Sequence, residues 1–368
     1  MKIAVIKLGA RIHDNEGVGN STNEVLSTIK MLTKGGVTVD VYTKVLKKDR
    51  LSDLFISYNI EDEYGNINSR DYDALMVLNG NVNFFGGAED KSQILNYTLI
   101  NSFKGKVVYM LYDPLLLLKQ LWPAIHNKEW ASNWNEKDIV ITRNDIKYIT
   151  QCKNLDPLYD KGLTGMGIAK YFPLEKFPLL TSEEYVIDFD NVEWDLRYAG
   201  TWRGGRRQRS LIEFFFGLPE DISVQLFGNL KIDQFSEKKV SDLRLPEFGS
   251  SVTHEEAEAR LKKALSTVVI GDEFYIKTND VAQRSYESII LGNITFMDSR
   301  YDYEKRIFSD PELKKFLYVD DRIQLADRIY QLKKDTKFAS DLALAQKKDV
   351  AIDLDEYCND FVRCIKEI

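Results

Sequence analysis

The chain has 368 residues, with 50 Lys+Arg against 57 Asp+Glu and a formal net charge of −7. That length exceeds the roughly 250–300 residues at which a single core stops growing, so two domains are expected. Hydrophobic residues at 44% and only 8 Pro rule out a disordered chain, and the acidic balance argues against non-specific nucleic-acid binding driven by overall positive charge.

The opening segment Lys2 to Leu8 reads as a buried strand, and residues 22–34 place Val25, Leu26, Ile29, Met31 and Leu32 at helical spacing. Val37 to Thr43 is again strand-like, and a β-loop-α-β opening is how a parallel doubly wound sheet begins. Further strands are predicted at 74–78, 107–111 and 139–141, with a helix near 89–103. Pro173, Pro178 and the acidic stretch Ser182 to Glu193 mark a crossover between domains. The pattern then restarts with strands at 196–199, 224–227, 267–270 and 294–297 and helices near 207–216, 254–265, 279–290 and 321–333. A helical stretch covers about 335–367. The expected class is α/β, with Rossmann-like doubly wound domains over 1–176 and 177–345, and residues 346–368 forming a C-terminal helix that either caps the second domain or packs back on the first.

Cys152, Cys358 and Cys364 lack CxxC spacing, which argues against a disulfide framework, and isolated His13, His126 and His254 make a multi-histidine metal site a poor candidate. No run approaches about 18 consecutive apolar residues, so an intracellular protein without a membrane span is expected.

Ligands of open α/β sheets bind beyond the carboxyl ends of the strands, so the residues there matter most. The segment Gly200-Thr201-Trp202-Arg203-Gly204-Gly205-Arg206-Arg207 lies between a strand and a helix. Small residues let backbone N–H groups approach an anion, and arginine forks bind phosphate bidentately. The plainer alternative is a solvated basic turn, since neither GxGxxG nor GxxxxGK[ST] is present. Arg284 and Glu287 share one helix face, where the arginine suits a diphosphate and the glutamate a ribose, or the two form a surface ion pair.

Asp113 closes a strand before Pro114, as a general base would or as an Asp-Pro turn does. Ser21-x-x-Glu24 fits a capping box. Asn83-Phe84-Phe85-Gly86-Gly87 suits a loop that enters a duplex and replaces a base, or a turn whose rings pack inward. Lys44, Lys47, Lys48 and Arg50, and Lys231, Lys238 and Lys239, are phosphate contacts or solvated faces. Asp-x-Asp at Asp71-Tyr72-Asp73, Asp188-Phe189-Asp190 and Asp353-Leu354-Asp355 mimics a metal motif of nucleotide-sugar transferases, although chance suffices in so acidic a chain.

Taken in order, several segments resemble the DNA β-glucosyltransferase family of T-even bacteriophages. They are MKIAVIKLG, DYDALMVLNGNVNFFGG, the strand ending at Asp113, Leu121-Trp122-Pro123 to Trp130-Ala131 and Tyr171-Phe172-Pro173-Leu174-Glu175. They continue with YAGTWRGGRRQR, Phe227-Gly228-Asn229, VVIGD and QRSYES. The resemblance implies a GT-B fold, two Rossmann-like domains facing a central cleft. It implies inverting transfer of glucose from UDP-glucose to the hydroxymethyl oxygen of 5-hydroxymethylcytosine, flipped out of duplex DNA.

Residue by residue, the resemblance makes Asp113 the catalytic base and places Glu24 and Glu175 beside the sugar. Gly200, Thr201, Arg203, Arg207, Phe227, Gly228, Val252, Arg284 and Glu287 fall at UDP-binding positions, and Asn83, Phe84, Phe85, Gly86 and Gly87 at the DNA. It further implies no tightly bound cofactor, Mg²⁺ assisting product release, a monomer, and action in the cytoplasm of an infected bacterium against host nucleases. Alternatives keep the fold but use another UDP-sugar such as UDP-arabinose, 5-hydroxymethyluracil as acceptor, or a small-molecule, lipid or protein acceptor. Residues 44–70 and 228–252, and Trp202, Arg206 and Arg209 in the phosphate loop, depart from the family pattern.

Overall fold

A computed structural model of the chain describes residues 1–7, 21–43, 56–68, 70–78, 91–111, 143–159, 169–181, 185–200, 206–228, 240, 242–250, 252 and 254–368. The chain divides into two units, Met1–Thr181 together with Asp353–Ile368, and Ser182–Ile352.

The first unit runs β1 (Lys2–Lys7), α1 (Ser21–Lys34), β2 (Thr38–Thr43), β3 (Ile56–Asn59), α2 (Ile60–Ile67) and β4 (Ala74–Leu78). It continues with α3 (Lys91–Ser102), β5 (Lys106–Leu111), β6 (Lys147–Thr150) and β7 (Ala169–Tyr171). The strands form a parallel sheet in the order β3-β2-β1-β4-β5-β6-β7. Ala74 to Leu78 and Val107 to Leu111 are buried without alternation, as strands covered on both faces require. The chain reverses its direction of winding between β1 and β4, where Ile3 pairs with Ala74 and Lys7 with Leu78.

The C-terminal helix Leu354–Glu367 belongs to this unit. Asp353 caps it by accepting the N–H groups of Asp355 and Glu356, and its buried face carries Tyr357, Phe361 and Ile365 at helical spacing. The rings of Tyr357 and Phe361 lie 5.0 and 5.1 Å from that of Phe172. Gly35, just beyond α1, leaves room for this helix, because a β-carbon there would lie 2.4 Å from Val362 Cγ2.

The second unit repeats the scheme. It comprises β8 (Trp194–Ala199), α4 (Arg206–Phe215), β9 (Val224–Phe227), β10 (Glu247–Phe248), α5 (His254–Leu261) and β11 (Ala264–Val269). After the short helix Glu273–Lys277 come α6 (Arg284–Ile290), β12 (Ile294–Asp298), α7 (Pro311–Leu317), β13 (Tyr318–Val319), α8 (Arg322–Lys334) and α9 (Thr336–Val350). The sheet is parallel with the order β10-β9-β8-β11-β12-β13, so the winding reverses between β8 and β11.

Three element boundaries differ from the sequence reading. The helix expected over 254–265 ends at Leu261, because Ala264 already pairs with Trp194 in the sheet. The helix expected over 279–290 is interrupted ahead of Arg284, with Asn279 in the left-handed region at φ +49. The stretch expected over 335–367 breaks at Ala351, and its two helices fall in different units, each opened by a capping aspartate, Asp335 and Asp353. Strands β3, β6, β7, β10 and β13 span two to four residues each, too short for periodicity to announce. The strand expected at 139–141 lies outside the described residues. Among the described residues no helix is long and apolar enough to cross a membrane.

Candidate nucleotide-sugar site

The segments that follow β8 and β11 diverge at the winding reversal of the second sheet, which in open α/β sheets is where a crevice for ligands opens. Two glycine backbones meet there. Gly200 donates its N–H to Phe227 O at 3.0 Å. Gly228 sits at φ +120, and a β-carbon on it would lie 2.1 Å from Gly200 O. Only glycine allows both that conformation and that approach. The turn is extended by Gly249 N–H donating to Leu226 O at 2.7 Å. Val252 packs against the apolar cluster of Phe227, Ala199, Leu261 and Leu291, so Gly200, Phe227, Gly228 and Val252 lie together.

Arg207 is the second residue of α4, and its Nη2 lies 3.4 Å from Asp272 Oδ2, both side chains being largely buried. Burial pulls the pKa of this guanidinium down, but facing Tyr198, Asp272, Tyr275 and Tyr301 more than offset that and hold it above its ordinary value. Arg207 therefore stays charged. The Nε atoms of Arg206 and Arg207 are buried without a hydrogen-bond partner among the described residues, and so is Arg284 Nη1. Arg284 opens α6, with Glu287 half-buried in the same first turn. Buried guanidinium N–H groups without acceptors are costly, and a phosphate oxygen is the kind of acceptor they fit.

In the first unit, Glu175 lies buried in the 3₁₀ turn Leu174–Lys176, with Tyr171 Oη 3.5 Å from its Oε1. This turn is tied down from two sides. Ser27 and Lys30 of α1 donate to the carbonyls of Phe177 and Leu180, and Tyr357 donates to Pro173 O at 2.6 Å. Glu24 lies in the first turn of α1, its side chain outside what is described. Asp113 follows β5 by two residues, and Asn83, Phe84, Phe85, Gly86 and Gly87 follow β4; these, with Thr201 and Arg203, lie outside the described residues. The basic clusters at 44–50 and 231–239 lie outside them as well.

The Asp-x-Asp triplets have local work. Asp73 accepts the N–H of Lys2 at 2.6 Å, and Asp188 and Asp353 cap the helical turns that follow them. Among the described residues no group of three or more His, Cys, Asp or Glu is placed to hold a metal ion. The three cysteines are buried and unbridged. Sequence reasoning missed Asp272, which faces Arg207, although the VVIGD segment that contains it had been singled out.

Comparison with known proteins bears on the same geometry. The sequence profile of the family described as Bacteriophage T4 beta-glucosyltransferase matches residues 1–178. Over those residues the chain is similar to that family. A DNA beta-glucosyltransferase of Enterobacteria phage T4 is 28% identical over 335 residues, 90% of each chain. The crystal structure of the T4 phage enzyme in complex with its UDP-glucose substrate superposes with a TM-score of 0.78 at 23% identity, covering 99% of both chains. The T4 enzyme in complex with UDP and Mn²⁺ gives 0.77 at 24% identity, with the same coverage. An alpha-glucosyltransferase in complex with UDP and a 13-mer DNA containing an HMU base is more distant, at a TM-score of 0.59 and 14% identity over 100% of this chain and 98% of that one. The two parallel-sheet α/β units are those of the GT-B fold of the T4 structures.

Proposed function

We propose that the protein is an inverting glycosyltransferase that moves glucose from UDP-glucose onto the hydroxymethyl oxygen of 5-hydroxymethylcytosine in duplex DNA. The observation that carries this reading is that the segments following the strands of the second sheet hold both the Gly200–Gly228 backbone contact and buried guanidinium groups whose N–H donors are unmatched among the described residues. Kinship to the phage DNA beta-glucosyltransferase over 90% of the chain supports the choice of donor and acceptor.

In this reading Gly200, Thr201, Arg203, Arg207 and Arg284 hold the diphosphate, Glu287 the ribose, and Phe227, Gly228 and Val252 the uridine side. Asp113, beyond the carboxyl end of β5, takes the proton of the acceptor hydroxyl as that oxygen attacks the anomeric carbon from the face opposite UDP. The arginines neutralise the negative charge that grows on the departing diphosphate, where an excluded-water setting makes each contact count most. Glu24 and Glu175 line the sugar. Asn83 to Gly87 approach the duplex and help turn the base out of the stack, a cost of a few kcal/mol repaid by contacts to the flipped base. The divalent cation seen with UDP in the T4 enzyme fits a role in releasing product. The protein acts as a monomer in the cytoplasm of an infected bacterium, and the modification shields phage DNA from host nucleases.

The decisive experiment is incubation with duplexes containing 5-hydroxymethylcytosine, 5-hydroxymethyluracil or unmodified cytosine, each with a panel of UDP-sugars, followed by nucleoside mass spectrometry. Glucosyl-5-hydroxymethylcytosine from UDP-glucose is expected. Transfer of another sugar, or transfer only to 5-hydroxymethyluracil, would reassign donor or acceptor, and no transfer to any duplex would overturn DNA as the acceptor.

A further inference from the structure

The turn that leaves β12 touches the segments that carry Arg207, Asp272 and Arg284. Asp298, the last residue of β12, accepts a hydrogen bond from Ser210 Oγ at 3.2 Å, and Ser210 lies one turn beyond Arg207 on α4. Tyr301, three residues on, is 2% exposed, and its ring packs against Gly271, where a β-carbon would come within 2.2 Å of two ring carbons. Gly271 is therefore glycine because Tyr301 is there, and the next residue is Asp272, the partner of Arg207. The Tyr301 hydroxyl accepts the backbone N–H of Ala282 at 2.5 Å, two residues ahead of Arg284, and Ala282 O in turn accepts the N–H of Ser285 at 3.0 Å.

Tyr301 itself is held firmly. Its N–H donates to Asp298 O at 2.9 Å. The adjoining Asp302 carboxylate is buried and accepts the N–H groups of Arg306 at 2.9 Å and Ile307 at 3.1 Å, together with the Tyr318 hydroxyl. A turn fixed by so many hydrogen bonds has one arrangement, and whatever leans on it inherits that arrangement. Burial and the nearby Asp280 push the Tyr301 phenol well above its ordinary pKa, so it remains a neutral hydroxyl.

We infer that Tyr301 is a positioning residue for the nucleotide diphosphate: by backing Gly271 and holding Ala282 it sets the separation of Arg207 and Arg284. The inference rests on the function proposed above. Its consequence is selective, because the arginines face phosphate and not the nucleoside.

The test compares binding of UDP and of uridine to the full chain by calorimetry, for the wild type and for Tyr301→Phe, which keeps the ring over Gly271 and removes only the hydroxyl. UDP affinity is expected to fall about tenfold, the effect of one hydrogen bond's worth of misplacement, while uridine affinity changes less than about twofold. Equal losses for UDP and uridine, or no loss for either, would overturn the assignment and leave Tyr301 a packing residue. Ala282→Pro deletes the same bond from the donor side and should reproduce the split, and if Tyr301→Phe fails to fold this variant decides. Loss of folding in both variants also overturns the assignment, since the bond is then needed for the fold itself. If the wild type does not bind UDP, the proposed function fails and this inference with it; wild-type UDP binding with an unchanged Tyr301→Phe variant removes only the inference.

Discussion

Each unit buries a polar network, and the two networks end differently. In the first unit the donors run in a closed chain. Arg70 donates to Tyr42 at 2.5 Å and to Glu63 at 2.7 Å; the Tyr42 and Tyr72 hydroxyls lie 2.8 Å apart; Tyr72 donates to Asp40, and Lys2 pairs with Asp40 at 3.0 Å. The Arg70 guanidinium also lies 4.1 Å from the centroid of the Tyr58 ring. Arg70, Tyr42 and Tyr72 each donate within the network, and among the described residues its buried side-chain atom left without a partner is an acceptor, Asp40 Oδ1. In the second unit the network at the carboxyl edge is open among the described residues, with surplus donors on Arg206, Arg207 and Arg284. A closed network stabilises the protein that contains it, whereas one with buried positive charge and surplus donors is completed by an anion. The number of buried arginines does not separate the two cases. The distinction lies in whether their donors are used up.

Four substitutions break or sharpen that contrast. The largest effect is expected from Asp113→Ala, which should lower turnover by about 10²–10⁴-fold while leaving UDP binding intact. Unchanged turnover would remove Asp113 from the chemistry. Gly228→Ala should follow, since its methyl would meet Gly200 O at 2.1 Å and φ +120 is strained for alanine. A loss of at least about 2 kcal/mol in urea unfolding, with UDP binding lost, is expected. Arg284→Ala removes a surplus donor of the open network, so UDP affinity should fall by about 10- to 100-fold with little change in unfolding midpoint. An Arg284→Ala protein that loses stability but keeps UDP affinity would show the network to be structural. Tyr72→Phe makes the converse case: it interrupts the closed chain between Tyr42 and Asp40. It should cost about 1–3 kcal/mol of stability and leave UDP affinity untouched, and a change in that affinity would show that the two networks communicate.

Much of this was legible in the amino-acid order, because burial on both faces of a parallel sheet forces unbroken apolar runs such as Ala74 to Leu78 and Val107 to Leu111. Gly200 and Arg207 are legible because they lie between a strand and a helix, and Arg284 and Glu287 because they share a helix face, which is local information; Gly228 is reached only through the family resemblance. Asp272 and Tyr301 were not legible. A lone aspartate after a strand has no signature, and Tyr301 matters only through Gly271 and Ala282, which are 30 and 19 residues away in the chain. Glu175 was legible as a residue, but its anchoring by Tyr357 spans 184 positions from Pro173 and follows from the return of the C-terminal helix.

What the sequence by itself determined is the repeated α/β order, the length for two such units, and the residue types able to receive a nucleotide diphosphate. Those depend on periodicity and on side-chain chemistry, which are properties of short windows. The tertiary structure alone decided which of those residues meet, that Gly228 must be glycine because Gly200 O lies against it, and which buried arginines still have donors to give among the described residues. Such facts arise from packing between distant segments, where a contact of 2–3 Å is fixed by the whole sheet and cannot be read from any one stretch of chain.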